Sequence, residues 1–309
     1  GLYDAEDNYG TWTTWRQIAK QSPKTPLYLV EAPWYHHGWG NSGYQHLDGA
    51  WFGAGTAKYF INEIEYPFFA HYLEGKGWLP APVTVLPSGE TREGIMKDRD
   101  VESQWLSMDC WPPRGVHAKR WYLGDGVVVS DPDNPVPYYN NVKTRGRDRA
   151  YMAADQRFAS NRADVLTYSW PATRDTVRMM GPVKVNLVLN TDAADLMAVV
   201  KLIDVRPDGY EMLVRGDVMP ARFRRSFSKP EPIKPGSDFT VSFTMPDIAH
   251  MLMPGHKLMV QVQFSWFPLV AVCPQAYMNN PYKATASDYR KAKVALQGNG
   301  KSFVELPVW

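Results

Sequence analysis

Cysteine is almost missing from this chain of 309 residues: it has only Cys110 and Cys273. Lying 163 positions apart, they match neither a disulfide scaffold nor a Cys-x-x-Cys redox or zinc motif, and both are expected to be unpaired core residues. An excess of either charge is missing too. Lysine plus arginine number 34 against 32 aspartates and glutamates, a net charge of +2, too even for the electrostatic footprint of a nucleic-acid binder. Long apolar runs are lacking: the most apolar window, Leu258 to Cys273, has 16 residues and is broken by Gln261 and Gln263, so no membrane helix is expected. Residues from Gly1 onward show no basic-then-apolar leader, so a signal peptide is absent or was removed with something larger. No repeat or low-complexity tract occurs. His46, His71, His117, His250 and His256 show no His-x-x-x-His spacing and are expected to be structural or solvent-facing, with no metal site and no cofactor. Asp131-Pro132-Asp133-Asn134 lacks the glycine and terminal glutamate of a calcium loop and reads as a turn.

What is present is ample material for a core, 44% hydrophobic and 13% aromatic residues, distributed in two styles. Residues 1–78 alternate strand and helix patterns. Gly1 to Tyr3 reads as a strand tail, Asp7 to Lys20 carries a helical stripe of Tyr9, Trp12, Trp15, Ile18 and Ala19, Pro26 to Ala32 reads as a buried parallel strand, and Thr56 to Leu73 as a long helix interrupted near Pro67. Residues 79–309 read as strands between Pro, Gly, Asn and Asp turns, with Val183, Val185, Leu187 and Leu189 alternating against polar neighbours, likewise Phe239, Val241 and Phe243. Arg206-Pro207-Asp208-Gly209 is a turn signal between Val199–Val205 and Tyr210–Val214. The expected class is thus α/β followed by all-β, the second part a β-sandwich. The joint lies at Glu74-Gly75-Lys76-Gly77-Trp78-Leu79-Pro80, where glycines end a helix and proline prevents its continuation. Two parallel strands cannot bury both faces, so the first part reads as the end of an α/β domain with apolar surface exposed, favouring self-association.

Asp4 directly follows the first strand pattern, and His36 lies just after the next in Glu31-Ala32-Pro33-Trp34-Tyr35-His36-His37-Gly38. An α/β-hydrolase places a carboxylate and an imidazole at such strand ends, in the order Ser, Asp or Glu, His. The 32-residue separation leaves room for one crossover helix. The alternative is that Asp4 caps a helix and His36 is an ordinary loop residue. No Gly-x-Ser-x-Gly occurs; Gly40-Asn41-Ser42-Gly43-Tyr44 comes nearest, but lacks the last glycine and follows the histidine. If Asp4 and His36 act together, the serine is expected upstream of residue 1.

Gly1-Leu2-Tyr3-Asp4-Ala5-Glu6-Asp7 followed by Ala32-Pro33-Trp34-Tyr35-His36 closely resembles the α-amino acid ester hydrolases and their glutaryl cephalosporanic acid acylase-type relatives, and more distantly the cocaine esterases and X-Pro dipeptidyl peptidases. Gly181-Pro182-Val183-Lys184-Val185, Asp204 to Gly209, Pro254-Gly255-His256-Lys257-Leu258 and Ser287 to Ala292 look like that family's jelly-roll domain. The resemblance implies a carboxy-terminal remnant of an α/β-hydrolase domain followed by a jelly-roll β-sandwich. It implies Asp4 as triad acid, His36 as general base, and Glu6 and Asp7 as carboxylates reading a substrate ammonium; clustered carboxylates pair with a cation and reject an anion. Helix-dipole stabilisation is the plainer role for that acidic pair. Assignment to His36 over His37 rests on alignment to Pro33-Trp34. Val270-Ala271-Val272-Cys273 departs from the aspartate, arginine and asparagine usual in the family before Pro-Gln.

Trp39, Tyr44 and Trp51 are candidates for an acyl pocket, although aromatics at this density also build cores. The basic stretches Lys143 to Arg149 and Arg222 to Arg225 read as a solvated face or a domain interface. The implied partners are a small ester or amide substrate and the missing amino-terminal hydrolase half, with a periplasmic or secreted location favoured by the resemblance alone. A lectin-like or assembly role for the sandwich is the alternative from a different class.

Overall fold

Apolar periodicity decides which face of each element this chain buries, and the two styles of patterning give two packed units. A computed structural model describes residues 1–41, 46–53, 55–89, 105–140 and 147–309. In the first unit, helix α1 (Tyr9–Gln21) buries Trp12, while Tyr9 and Ile18 from the same expected stripe are exposed. Strand β1 (Leu29–Glu31) is followed by a small hairpin of β2 (His46–Leu47) and β3 (Ala50–Trp51). Residues 56–74 run as α2 (Thr56–Tyr59), a π-helical stretch Phe60–Glu65 and α3 (Tyr66–Glu74). The interruption expected at Pro67 lies just before it: Pro67 sits in the first turn of α3, where its missing N–H is tolerated because the π register has already shifted the bonding. Gly75 takes the left-handed conformation (φ 68°) that closes α3. Tyr66, Phe69 and Leu73 stand exposed along α3.

Strand β4 (Val83–Val85) pairs in parallel with β1, and β5 (Leu106–Met108) pairs antiparallel with β4. Composition and backbone pairing therefore divide the chain at different points. Gly1 to Tyr3, expected as a strand tail, forms a turn. Its amides still reach the segment after β1, Leu2 N–H donating to Ala32 O (2.8 Å) and Tyr3 N–H to Trp34 O (3.0 Å).

The second unit comprises β6 (His117–Tyr122), β7 (Gly126–Ser130), β8 (Leu166–Ser169), β9 (Val177–Thr191), β10 (Met197–Val205), β11 (Glu211–Pro220), β12 (Phe239–Leu252), β13 (Lys257–Gln263), β14 (Ala292–Leu296) and β15 (Phe303–Val308). One sheet runs β11-β10-β13-β8; the other runs β6-β15-β9-β14-β7, with β12 also on β9. Val183, Val185, Leu187 and Leu189 of β9 share a core with Val200 and Leu202 of β10 and Val260 and Val262 of β13, so the alternation read from sequence faces the opposite sheet. Arg206 to Tyr210 makes the β10–β11 turn, closed by Arg206 N–H to Tyr210 O, with Gly209 at φ 87°. The structure is mostly β with few helices. Cys273 is buried and burial pushes its thiol up to about 12, but Cys110 sits half-buried on a bend after β5 and is not a core residue; both are free.

Strand β9 bends at Gly181 (φ 139°), where an added Cβ would lie 3.0 Å from Pro112 and 3.2 Å from Pro307. Beyond the bend, Met180 enters the core of the first unit together with Ala249 of β12 and Met212 of β11. Arg16 of α1 pairs with the buried Asp247 of β12, whose Oδ2 also accepts from Trp111 Nε1–H (2.8 Å). The two units thus share packing and a half-buried ion pair.

The covered outer face of β10 holds an unexpected cation. Lys201 is fully buried, its Nζ donating to Gln156 Oε1 (2.9 Å), and burial lowers its pKa to about 7. An unfolded chain, whose lysine titrates near 10.5, binds more protons across that window, so this residue makes stability rise as pH increases from about 7 towards 10.5. Urea unfolding of Lys201→Met across that range is expected to show a flatter pH dependence than wild type; parallel profiles would contradict it.

Candidate active site

Two backbone segments close around Trp34. Its indole Nε1–H donates to Thr56 Oγ1 (3.1 Å) and its carbonyl accepts from Tyr3 N–H. A Cβ at Gly1 would meet that carbonyl, and one at Gly38 would lie 2.9 Å from the Trp34 Cβ, so glycine lets the segments approach. The result sets Asp4, at the end of one segment, beside His36, at the end of the other. His36 Nδ1 lies 3.0 Å from Asp4 Oδ2 and 3.3 Å from Oδ1.

The carboxylate is buried, which opposes its ionisation. Backbone N–H groups of Glu6 (2.8 Å) and Asp7 (3.1 Å) bond to Oδ1, and with the His36 bond they outweigh burial and hold the carboxyl below its ordinary range. An ionised Asp4 favours the tautomer of His36 with the proton on Nδ1, leaving Nε2 as a lone-pair acceptor on a ring whose side chain is 46% exposed. The pair can therefore take up a proton at Nε2 and stabilise the resulting imidazolium.

His37, passed over in favour of His36 on the alignment to Pro33-Trp34, adopts a left-handed conformation (φ 65°) and stacks on Trp39 at 5.1 Å. Trp39 also meets His36 in a T-shaped contact at 6.5 Å and lines an apolar cavity of about 310 Å³ with Trp34, Phe60, Ile64 and Phe68. Glu6 is exposed, its Oε2 3.8 Å from His36 Nε2. The Asp7 carboxylate accepts from Gly10 N–H (2.6 Å), the helix-start role. Tyr44 lies outside the described residues. Trp51 stacks on His46 at 6.2 Å.

Two cations near the site were hidden in the basic stretch Lys143 to Arg149. Arg147 lies 3.8 Å from Glu6 Oε1, and Arg149 sits 3.7 Å over the Tyr35 ring. The stretch itself was the only signal, and charge alone does not say which face it covers. Asp131 accepts from Asp133 N–H (3.0 Å) and pairs with Lys291 (2.6 Å), as a turn residue would.

A carboxyl whose folded pKa is depressed contributes stability above its unfolded value, near 3.8, and loses it as pH falls through the folded value. Urea midpoints of wild type and Asp4→Asn are therefore expected to differ most above pH 3.8 and to converge in stronger acid. A constant difference would show that the Asp4 charge is not what the fold stabilises.

Comparison with known proteins gives the family. The family model for the X-Pro dipeptidyl-peptidase C-terminal non-catalytic domain matches residues 89–304, so Asp4 and His36 precede the matched region. Cocaine esterase of Rhodococcus sp. (strain MB1 Bresler) is 34% identical over 143 residues, 46% of this chain and 25% of the esterase. A putative Xaa-Pro dipeptidyl-peptidase of Bacillus anthracis is 27% identical over 183 residues, 56% of this chain and 30% of the peptidase. Among solved structures, an α-amino acid ester hydrolase superposes with a TM-score of 0.87 at 30% identity. An aminopeptidase from a marine sediment Thaumarchaeota archaeon superposes with 0.88 at 26%. In both, all of this chain is matched and it spans 54% of the other protein. The chain belongs to the X-Pro dipeptidyl-peptidase C-terminal domain family, in the superfamily of the cocaine esterases and α-amino acid ester hydrolases.

Proposed function

We propose that Asp4 and His36 are the acid and base of a Ser-His-Asp site that transfers acyl groups from esters or amides to water, the serine lying on polypeptide outside residues 1–309. The observation that carries this reading is the buried, ionised Asp4 carboxylate 3.0 Å from Nδ1 of a half-exposed His36. In this reading residues 1–78 are the end of an α/β-hydrolase domain and residues 79–309 a jelly-roll sandwich. The pairing of β4 with β1 ties the two together. The relatives' own names, esterase, peptidase and amino acid ester hydrolase, all denote hydrolysis of acyl bonds.

His36 Nε2 removes the serine proton as the hydroxyl attacks the acyl carbon, and returns it to the departing alcohol or amine. The same nitrogen then deprotonates the water that releases the acid, while Asp4 holds the ring and stabilises its charge throughout. Glu6, 3.8 Å from Nε2, is placed to meet the α-ammonium of an α-amino acyl or β-lactam side-chain substrate. Arg147 competes for the same carboxylate. Asp7, bound to the first turn of α1, contributes through its backbone N–H on Asp4. Trp39, which neighbours His36 and lines the apolar cavity, supplies an apolar wall, and Tyr44 is retained as a pocket residue by resemblance alone.

The lectin-like alternative draws on the non-catalytic description of residues 89–304 but gives no role to the Asp4–His36 pair. A glycan array probed with the 309-residue chain separates the two: specific retention supports the binding module, whereas its absence with serine-dependent hydrolysis by the longer polypeptide supports the enzyme.

Expressed with the polypeptide encoded ahead of Gly1, the protein is expected to label stoichiometrically with a fluorophosphonate, and the 309-residue chain alone not at all. In that longer form His36→Ala is expected to lower turnover by roughly 10^6 and Asp4→Asn by roughly 10^4. Labelling of the short chain, or near-normal turnover in His36→Ala, overturns the reading. Glu6→Gln is expected to reduce the preference for an α-ammonium ester over its N-acylated counterpart by up to about fivefold, the scale of an exposed ion pair; an unchanged preference removes Glu6 from recognition.

A further inference from the structure

A chain of serine, histidine and aspartate side chains lies inside the molecule, with its members closed to solvent. Ser88 Oγ is 2.9 Å from His250 Nδ1, His250 Nε2 is 3.1 Å from Asp204 Oδ2, and Asp204 Oδ1 is 2.8 Å from His256 Nδ1. Ser88, His250 and Asp204 are each at most 2% exposed and His256 is 5% exposed. Ser88 Oγ is also engaged by Tyr3 OH (3.0 Å) and Ala249 O (3.1 Å), so its oxygen is enclosed by partners and cannot reach an outside acyl group. Burial of an ionised carboxylate opposes its charge, but the two imidazoles outweigh this and hold Asp204 below the ordinary range. Two segments singled out in the sequence, Asp204 to Gly209 and Pro254 to Leu258, meet at this carboxylate.

The outer end of the chain is the important one. Tyr3 immediately precedes Asp4, and it is held at three points. Its hydroxyl donates to Ser88, its ring stacks on Phe52 at 5.1 Å, and its N–H bonds to Trp34 O. Ser88 in turn is locked to β12 by its own N–H on Ala249 O (2.8 Å) and by Met251 N–H on its carbonyl (2.7 Å). Burial pushes the Tyr3 phenol up to about 12, against the opposing Ser88 bond, so it stays a donor well above neutral pH.

We propose that the Asp204–His250–Ser88 chain is a positioning device that, through Tyr3, fixes the Asp4 carboxylate against His36, making part of the β-sandwich a support for the acid–base pair. This rests on the reading of that pair given above and assigns Tyr3, Ser88 and His250 as positioning residues. Asp204 orients the His250 ring, His250 and Ala249 orient the Ser88 hydroxyl, and Ser88 fixes the phenol one residue from Asp4. Losing the hydroxyl leaves the Tyr3 and His250 polar atoms buried without a partner, and the backbone at residues 3 and 4 relaxes.

The test reads the His36 tautomer from imidazole ¹⁵N shifts in the 309-residue chain, at a pH where the ring is neutral. In wild type the proton is expected on Nδ1. In Ser88→Ala, which leaves buried polar atoms unpartnered, the ratio of Nε2- to Nδ1-protonated ring is expected to rise by up to about tenfold, and in the milder Tyr3→Phe, where Ser88 keeps His250 and Ala249, by a smaller factor. Asp195→Asn is the control for general loosening: it breaks the buried pair with Arg222 (2.7 Å), which touches neither Tyr3 nor Ser88. It is expected to lower stability and leave the His36 tautomer unchanged. A wild-type tautomer in folded Ser88→Ala and Tyr3→Phe, or an equal shift in Asp195→Asn, overturns the positioning role while leaving the acid–base pair intact. A wild-type ring protonated on Nε2 and indifferent to Asp4→Asn overturns the pair itself, and the inference with it.

Discussion

A carboxylate removed from water must be compensated where it lies, and Asp4 shows how much of the fold can be organised by that requirement. Its partners come from two directions. The backbone N–H groups of Glu6 and Asp7 belong to the turn that starts α1, and the imidazole belongs to the loop leaving β1. Satisfying the charge therefore fixes the helix start and the loop relative to each other. The glycines at positions 1 and 38 matter because any larger residue would hold those segments apart at Trp34.

The sandwich is joined to this corner by more than a tether. Met180, Ala249 and Met212, from three of its strands, pack into the first unit's core, and Asp247 receives both Arg16 and the Trp111 indole. The bend at Gly181 lets one long strand serve both cores. In the proposed acid–base reading this packing bears on how accurately Asp4 and His36 are held, since small displacements between reacting groups are costly. The exposed Tyr66, Phe69 and Leu73 of α3 lie on the first unit, in a chain that spans 54% of the aminopeptidase and of the ester hydrolase it superposes on.

Much of this was legible in the sequence because local periodicity carried it. The alternation at Val183–Leu189, the turn at Arg206–Gly209 and the Gly75 helix stop depend on near neighbours in the chain. The motif around Asp4 and His36 was legible as a resemblance, and the geometry brings those side chains together. What could not be read depends on pairing between distant residues. Parallel pairing of β4 with β1 crosses the compositional boundary at residue 79, and the capping of Gly10 by Asp7 competes with a role at the site. The enclosed Ser88–His250–Asp204–His256 chain combines residues as far apart as 168 positions whose individual spacing carries no signal. Lys201 is the same lesson in one residue: on pattern it belongs to a strand, but only the covering segment with Gln156 explains a buried amine.

The most direct measurement is the crystal structure of the longer polypeptide after reaction with a fluorophosphonate. The account predicts phosphonylation of a serine encoded ahead of Gly1, with His36 Nε2 at hydrogen-bond distance, about 3 Å, from the serine Oγ and Asp4 still on Nδ1. An adduct remote from His36, with that ring facing solvent or another group, would contradict it.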